Sequence, residues 1–217
     1  MTTITSCWFY AIGGHVWERG VRPMRRSVYF IASAALIAAA YVVLTFPMAQ
    51  LAYGPLQFRL AEALSVMAAL TPAAIPGLFL GCLTANLINP VNLGPIDIIG
   101  GSLATLAAAW LTWRLRCRFI TGRLFSYNAP LEGGKAVRRW KKIFRQMLVI
   151  SPSVLINALV VGFYLPYLIP GMTINALVII STMLSIFISQ AVVVYLIGLP
   201  LLLALVKARP DMEGHYR

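Results

Sequence analysis

Three observations predict an all-α integral membrane protein, a bundle of six transmembrane helices with both termini cytoplasmic. The first is composition. Of 217 residues, 60% are hydrophobic and 11% charged, with mean hydropathy +0.82, against roughly 25% charged in an ordinary soluble domain. The second is run length: the apolar runs match spanning helices of about 20 residues better than signal-peptide cores, and no cleavable targeting segment is evident. The third is the placement of the 18 basic residues. Arg19, Arg22, Arg25 and Arg26 precede the first apolar run, Lys207, Arg209 and Arg217 follow the last, and ten more lie between Arg114 and Arg145. Lys and Arg are retained on the cytoplasmic side, which puts all three segments on one face. A nucleic-acid patch is the alternative for the middle cluster, and the topogenic reading is the simpler.

By length the chain is one domain. Residues 1–23 form a tail, interrupted by Gly13, Gly14, His15, Glu18 and Arg19. Met24, followed at once by Arg25 and Arg26, reads as a second candidate start, and either start gives the same fold. The membrane domain runs from 24 to 206. Its first span is Val28 to Phe46. Gln57 to Asn89 crosses twice, broken near Thr71, Pro72 and Pro76, because a single crossing would strand the basic loop and the C-terminus outside. These second and third spans are short. Treated as α-helix, Leu60 to Leu70 rises only about 17 Å against a hydrocarbon core near 30 Å, and Gly54 and Pro55 interrupt the residues before it. Short, Pro- and Gly-broken segments are where transporters place binding sites; local thinning of the bilayer is the plainer alternative. The fourth span is Pro95 to Trp113, followed by a basic cytoplasmic loop, 114–145. Gln146 to Val206 holds the fifth and sixth, divided by Pro166, Pro170 and Gly171, and 207–217 is a cytoplasmic tail.

Between Val28 and Thr112 the Asp, Glu, Lys and Arg residues are Arg59, Glu62 and Asp97, and between Gln146 and Val206 there are none. Charge inside a membrane is costly and is kept to line a cavity, to pair, or to function. The six-span topology gathers Gln57, Arg59, Glu62, Asn86, Asn89 and Asp97 at the outer mouth, with Asn157, Asn175 and Gln190 completing the lining. Arg59 and Glu62, three apart, can instead satisfy each other on one helical face. Asp97 has no neighbouring base in sequence and either caps its own helix after Pro95 or contacts a ligand. Outward-facing acids with amide neighbours suit a cationic or donor-rich ligand.

Other patterns narrow the chemistry. Cys7, Cys82 and Cys117 lack metal-ligand spacing and read as structural or incidental. The histidines, His15 and His215, lie in the tails, so neither a histidine dyad in the membrane nor a histidine metal site is supported, and no cofactor is expected. Gly133, Gly134 and Lys135 lack the earlier glycine of a P-loop, so ATP-driven work would come from another subunit. Small residues four apart, Gly77, Gly81 and Ala85, then Gly100, Ala104 and Ala108, point to close helix packing. Ala34, Ala35, Ala38 and Ala39 on the first span either pack inside the bundle or meet a partner's helix.

The string FRLAEALSVMAALTPAAIPGLFLGCLTANLINP, followed by GPIDIIGGSLATLAAAW, closely resembles the QueT transporter family. The likeness covers about Val28 to Val206 and is densest in the RLAEAL, TPAAIPGLFLG and DIIGGSLATLAA runs; the 23-residue tail and the long basic loop depart from it. The resemblance implies a non-enzymatic importer of queuosine precursors in a prokaryotic plasma (inner) membrane. It also implies the substrate-binding S component of an energy-coupling-factor (ECF) transporter, working with a transmembrane T subunit and two ATPase subunits. The implied substrate is a deazaguanine, in aminomethyl or cyano form. One of Glu62 and Asp97 would then take the purine edge in bidentate fashion and the other the ammonium. Asn86 and Asn89 would complete the hydrogen bonds, Phe58 would stack on the ring, Arg59 would orient Glu62, and Gln57 and Asn157 would join the lining. The alanine face of the first span would dock on the T subunit, and the loop before Gln57 would gate the site. Two rival classes stand beside this: a stand-alone secondary transporter using Glu62 and Asp97 for ion coupling, and a membrane enzyme relying on Glu62, Asp97 or Ser102 unaided.

Overall fold

The computed structural model describes residues 23–48, 58–89, 93–121, 135–169, 171 and 174–208, and among these every regular element is helical. Helix α1 is Pro23–Thr45. A 3-10 helix, Leu60–Ala69, follows, then α2 (Ala74–Ile88), α3 (Pro95–Thr121), α4 (Lys135–Leu168) and α5 (Ala176–Ala191). Helix α5 runs through a π-helical turn, Val192–Gly198, into α6 (Leu199–Ala208). Gln57, the residues taken as a gate before it, His15, His215 and most of both tails lie outside the described residues.

Four stretches are long and apolar enough to cross a membrane: Ser27–Thr45, Pro95–Arg118, Ile143–Leu168 and the continuous Ala176–Leu205. The chain is therefore a multi-pass membrane protein. Where the two short spans are expected, the chain forms short apolar helices of 10 and 15 residues. The first is not an α-helix. At about 2.0 Å per residue the 3-10 helix stretches its ten residues over about 20 Å, more than α-geometry would give, yet still short of the about 30 Å core.

That short element sits at the axis of the bundle, in contact with α1, α2, α3, α4, the π-turn and α6. Its composition suits the place: Ala61, Ala63, Ala68 and Ala69 are buried, and their small side chains let neighbouring helices close around it. The break that separates it from α2 is also buried at Pro72 and Ala73. There the Thr71 hydroxyl accepts from the Ala73 amide at 3.3 Å. Irregular backbone survives at membrane depth when protein covers it and supplies such partners. Pro76 falls in the first turn of α2, where a missing N–H costs nothing.

Helix packing follows the small residues. A side chain at Gly77 would meet Ala34 O at 2.7 Å, and one at Gly81 would meet Tyr41 Cβ at 2.7 Å and Ala38 Cα at 3.0 Å, so α1 and α2 touch backbone to backbone. Ala34 is buried and Ala38 partly so, while Ala35 and Ala39 face outward. Within the described residues the four alanines thus divide: Ala34 and Ala38 pack inside the bundle. Buried Ala104 joins Ala158, Val161, Leu165 and Ile186 in the apolar layer between α3, α4 and α5.

Other boundaries moved with physical cause. Gly94, at φ +98°, turns the chain into α3 with Pro95 at its first position. The expected basic loop is in large part helix, since α3 continues to Thr121 and α4 begins at Lys135. Pro152 and Pro166 both lie inside α4 rather than ending it. Proline at 152 removes the amide that would bond the Leu148 carbonyl, and the Ser151 hydroxyl donates to that oxygen at 2.8 Å instead.

Candidate functional site

The three charged residues within the apolar segments, Arg59, Glu62 and Asp97, meet in the interior. Arg59 is 5% exposed, Glu62 1% and Asp97 0%. Each is delivered by a different device: Arg59 by the extended residue before the 3-10 helix (φ −95°, ψ 94°), Glu62 by its first turn, and Asp97 by the first turn of α3.

Glu62 is held by neutral donors from three helices. Tyr41 of α1 donates to Oε1 at 2.7 Å, and Asn157 of α4 donates to Oε2 at 3.2 Å. The Thr105 hydroxyl of α3 lies 3.4 Å from Oε1 and 3.1 Å from its own Gly101 carbonyl, with one proton to share between them. Glu62 therefore ties α1, α3 and α4 to the axial helix.

Asp97 belongs to a second group. Tyr164 of α4 donates to Oδ1 at 2.9 Å, and Arg59 Nη2 lies 3.6 Å from the same oxygen. The other oxygen, Oδ2, is buried and takes no hydrogen bond among the described residues. Arg59 thus pairs with Asp97, not with Glu62 three residues on. The reason is local: helical facing of positions three apart requires both residues to be helical, and the backbone at Arg59 is extended. Nor does Asp97 cap its own helix, since its bonds run to Tyr164 and Arg59.

Between the two groups lies Cys82, a free buried thiol. Asn86 Nδ2 is 3.7 Å and Thr105 Oγ1 3.6 Å from its sulfur, so this cysteine is part of the polar interior. Gly101 lies one turn after Asp97 on α3 and faces the same polar group. A Cβ built there would stand 3.4 Å from each of Arg59 Nη1, Asn86 Nδ2 and Tyr164 Oη.

The structure therefore brings together Arg59, Asn86 and Asp97 in one group, and Glu62 and Asn157 in the other. Asn89 is buried at the C-terminal cap of α2, and Phe58 is half-buried at the entry to the 3-10 helix. Asn175 is exposed at the start of α5, away from the buried groups, whereas Gln190 is buried with Oε1 unbonded. Ser102 spends its hydroxyl on the Ile98 carbonyl at 2.6 Å. Reading the sequence missed Tyr41, Tyr164, Thr105 and Gly101. The tyrosines carried a usable signal, because a phenol in an apolar span needs a hydrogen-bond partner when buried.

This arrangement offers a buried acceptor at Asp97 Oδ2, amide and guanidinium donors beside it, and a braced carboxylate one layer away. A curated relative, the "Queuosine precursor transporter QueT" of Lactococcus lactis subsp. cremoris (strain MG1363), is 35% identical over 86 residues, which are 38% of this chain and 49% of the relative. The matched stretch thus spans about half the length of that relative. No solved structure matches the chain. The sequence profile of the QueT transporter family matches residues 31–207, which takes in α1 from Ile31 onward, the other helices as far as Lys207, the axial 3-10 helix and both carboxylates, and the chain belongs to the QueT transporter family.

Proposed function

We infer that this protein carries a queuosine precursor into the cell as the substrate-binding S component of an ECF-type importer in the plasma membrane. Family membership and the relative's name support the substrate class. The observation in the molecule that carries the binding role is Asp97, fully buried with one oxygen unbonded. A buried carboxylate oxygen without a donor is costly, and a ligand that supplies donors relieves that cost. The edge of a deazaguanine presents adjacent N–H donors suited to it. Glu62, held by neutral groups, supplies the negative charge that favours the aminomethyl form, whose ammonium is cationic at neutral pH. Asn86 and Asn89 extend the hydrogen bonding, Phe58 stacks on the ring, and Asn157 fixes the Glu62 carboxylate.

The same reading makes six crossings of four long helices and two short ones, with both termini and the 114–145 region cytoplasmic. Arg114 stacked over the Trp110 ring at 4.8 Å suits the membrane interface, where aromatic and basic residues gather. With Ala34 and Ala38 occupied inside, the outward face through Ala35 and Ala39 is the side offered to a T subunit, which couples the protein to two ATPase subunits.

Calorimetry on the purified protein with the aminomethyl and cyano forms of deazaguanine, and with guanine and thiamine as controls, tests the proposal. Tight binding of the aminomethyl form over the others is expected. If neither deazaguanine binds, the substrate assignment fails.

A further inference from the structure

We propose that the stripe of Trp110, Arg114 and Arg118 on α3 is a binding site for the phosphate of an anionic phospholipid, in the leaflet that meets the basic end of the bundle. The inference is independent of the transport reading and of the substrate.

One face of one helix carries the first observation. Ile99, Leu103, Trp110 and Arg118 are exposed, and Arg114 is half-buried between the last two. Steps of three or four residues and their sums keep all five on one side of α3. Along that side the chemistry changes in order, from aliphatic to aromatic to cationic. A helix leaving hydrocarbon for the headgroup layer has that order, because indole rings collect at the boundary and charges stay beyond it. Length agrees. The stretch Pro95–Arg118 has 24 residues and rises about 36 Å against a hydrocarbon core near 30 Å, so its two ends do not both lie in hydrocarbon. The end that carries arginine is the one suited to headgroups.

Helix α4 fixes the level. A Cβ on Gly100 would stand 3.2 Å from the Tyr164 ring, and Ala104 packs with Ala158 and Val161, so α3 and α4 are antiparallel neighbours. Arg118 is as far along α3 from Gly100 as Gln146 is back along α4 from Tyr164, which brings Arg118 level with Gln146. Phe144, half a turn further on, is exposed. The apolar face therefore runs into the cationic end without a break. One phospholipid covers both, with its chains against Leu103 and Trp110 and its phosphate against Arg114 and Arg118. An acidic protein surface would meet only the charged end.

The cations suit a phosphate. The Arg114 guanidinium lies over the Trp110 ring, 4.8 Å from its centroid. That contact engages the face of the guanidinium, whereas its N–H groups lie in its plane and are directed around its edge. Arg118, one turn on, adds a second planar fork of the kind that grips phosphate oxygens in pairs. The surrounding charge has one sign: between Arg114 and Arg145 ten basic residues stand against one acid, Glu132. Basic clusters beside membrane helices attract anionic lipid.

The test is native mass spectrometry of the full chain, carried in detergent micelles with equal amounts of phosphatidylglycerol and phosphatidylcholine. Wild type is expected to retain the anionic lipid about fivefold more often or better. Arg114→Gln combined with Arg118→Gln should bring that ratio near one, and Arg118→Gln alone, at an exposed position, should move it the same way. Neutralising two other basic residues, Lys207→Gln with Arg209→Gln, should leave the ratio at its wild-type value. Equal retention of the two lipids by wild type overturns the proposal. Equal erosion in the Lys207 and Arg209 variant also overturns it, by reducing the preference to net charge. If wild type shows no lipid preference but holds a soluble polyglutamate peptide, the basic end docks an acidic protein surface instead.

Discussion

Asp97 and Glu62 show how one functional group, the buried carboxylate, meets two different surroundings. Asp97 has a cation at 3.6 Å and an oxygen to spare, whereas Glu62 has three neutral donors around both oxygens. Asp97→Asn should therefore weaken deazaguanine binding at least tenfold in calorimetry, while unchanged affinity would remove Asp97 from the site. Tyr41→Phe tests the other group. Losing the 2.7 Å bond leaves a buried carboxylate short of a donor, which costs about 1–3 kcal/mol, read as earlier thermal unfolding in detergent. Wild-type unfolding would show that Glu62 does not brace the bundle. That charges mattered here was legible from their rarity in an apolar chain. Which charge pairs with which was not, because Arg59 and Asp97 are far apart in sequence and meet only after α3 closes on the axial helix.

Helices in this bundle are placed by what they lack. Gly81 brings α2 so near α1 that an added Cβ would stand 2.7 Å from Tyr41 Cβ. Gly81→Ala should cost about 1–3 kcal/mol through overpacking, seen in the same unfolding assay. The alanines of α1 divide between two faces of one helix. Replacing Ala35 and Ala39 with leucine should leave folding and ligand binding intact but lower uptake in cells, whereas the same change at Ala34 and Ala38 should unfold the contact with α2. Full uptake by the Ala35 and Ala39 variant would show that no partner docks on that face. Small residues four apart were readable as helix contacts, but not which of two adjacent stripes turns inward. Nor does residue chemistry announce the 3-10 helix or the π-turn, which answer the space left by surrounding helices.

Across the whole molecule, the short central helix explains how two buried polar groups lie inside the bundle without breaking its apolar outer wall. The long helices keep large apolar side chains such as Leu36, Leu177 and Leu196 outward, while the axial element carries Glu62. Six crossings would place both ends of the chain on one side, so on that proposal reporters fused to either terminus should report the cytoplasm; opposite answers would sink the six-span topology. Coupling is tested separately. Uptake should fail without the ATPase partners and survive a collapsed proton gradient, and the reverse result would favour a stand-alone secondary transporter.

The sequence by itself determined the solvent of this protein, its helical class, its long spans and its few charges worth explaining, because each follows from local composition and from the cost of burying polar groups in lipid. It also carried the family in the runs around Arg59, Glu62 and Asp97. Tertiary structure alone decided that Arg59 answers Asp97, that Tyr41 and Asn157 hold Glu62, and that Ala34 turns inward while Ala35 turns out. Those outcomes depend on which helix faces arrive at the same point, and that is set by packing between segments far apart along the chain.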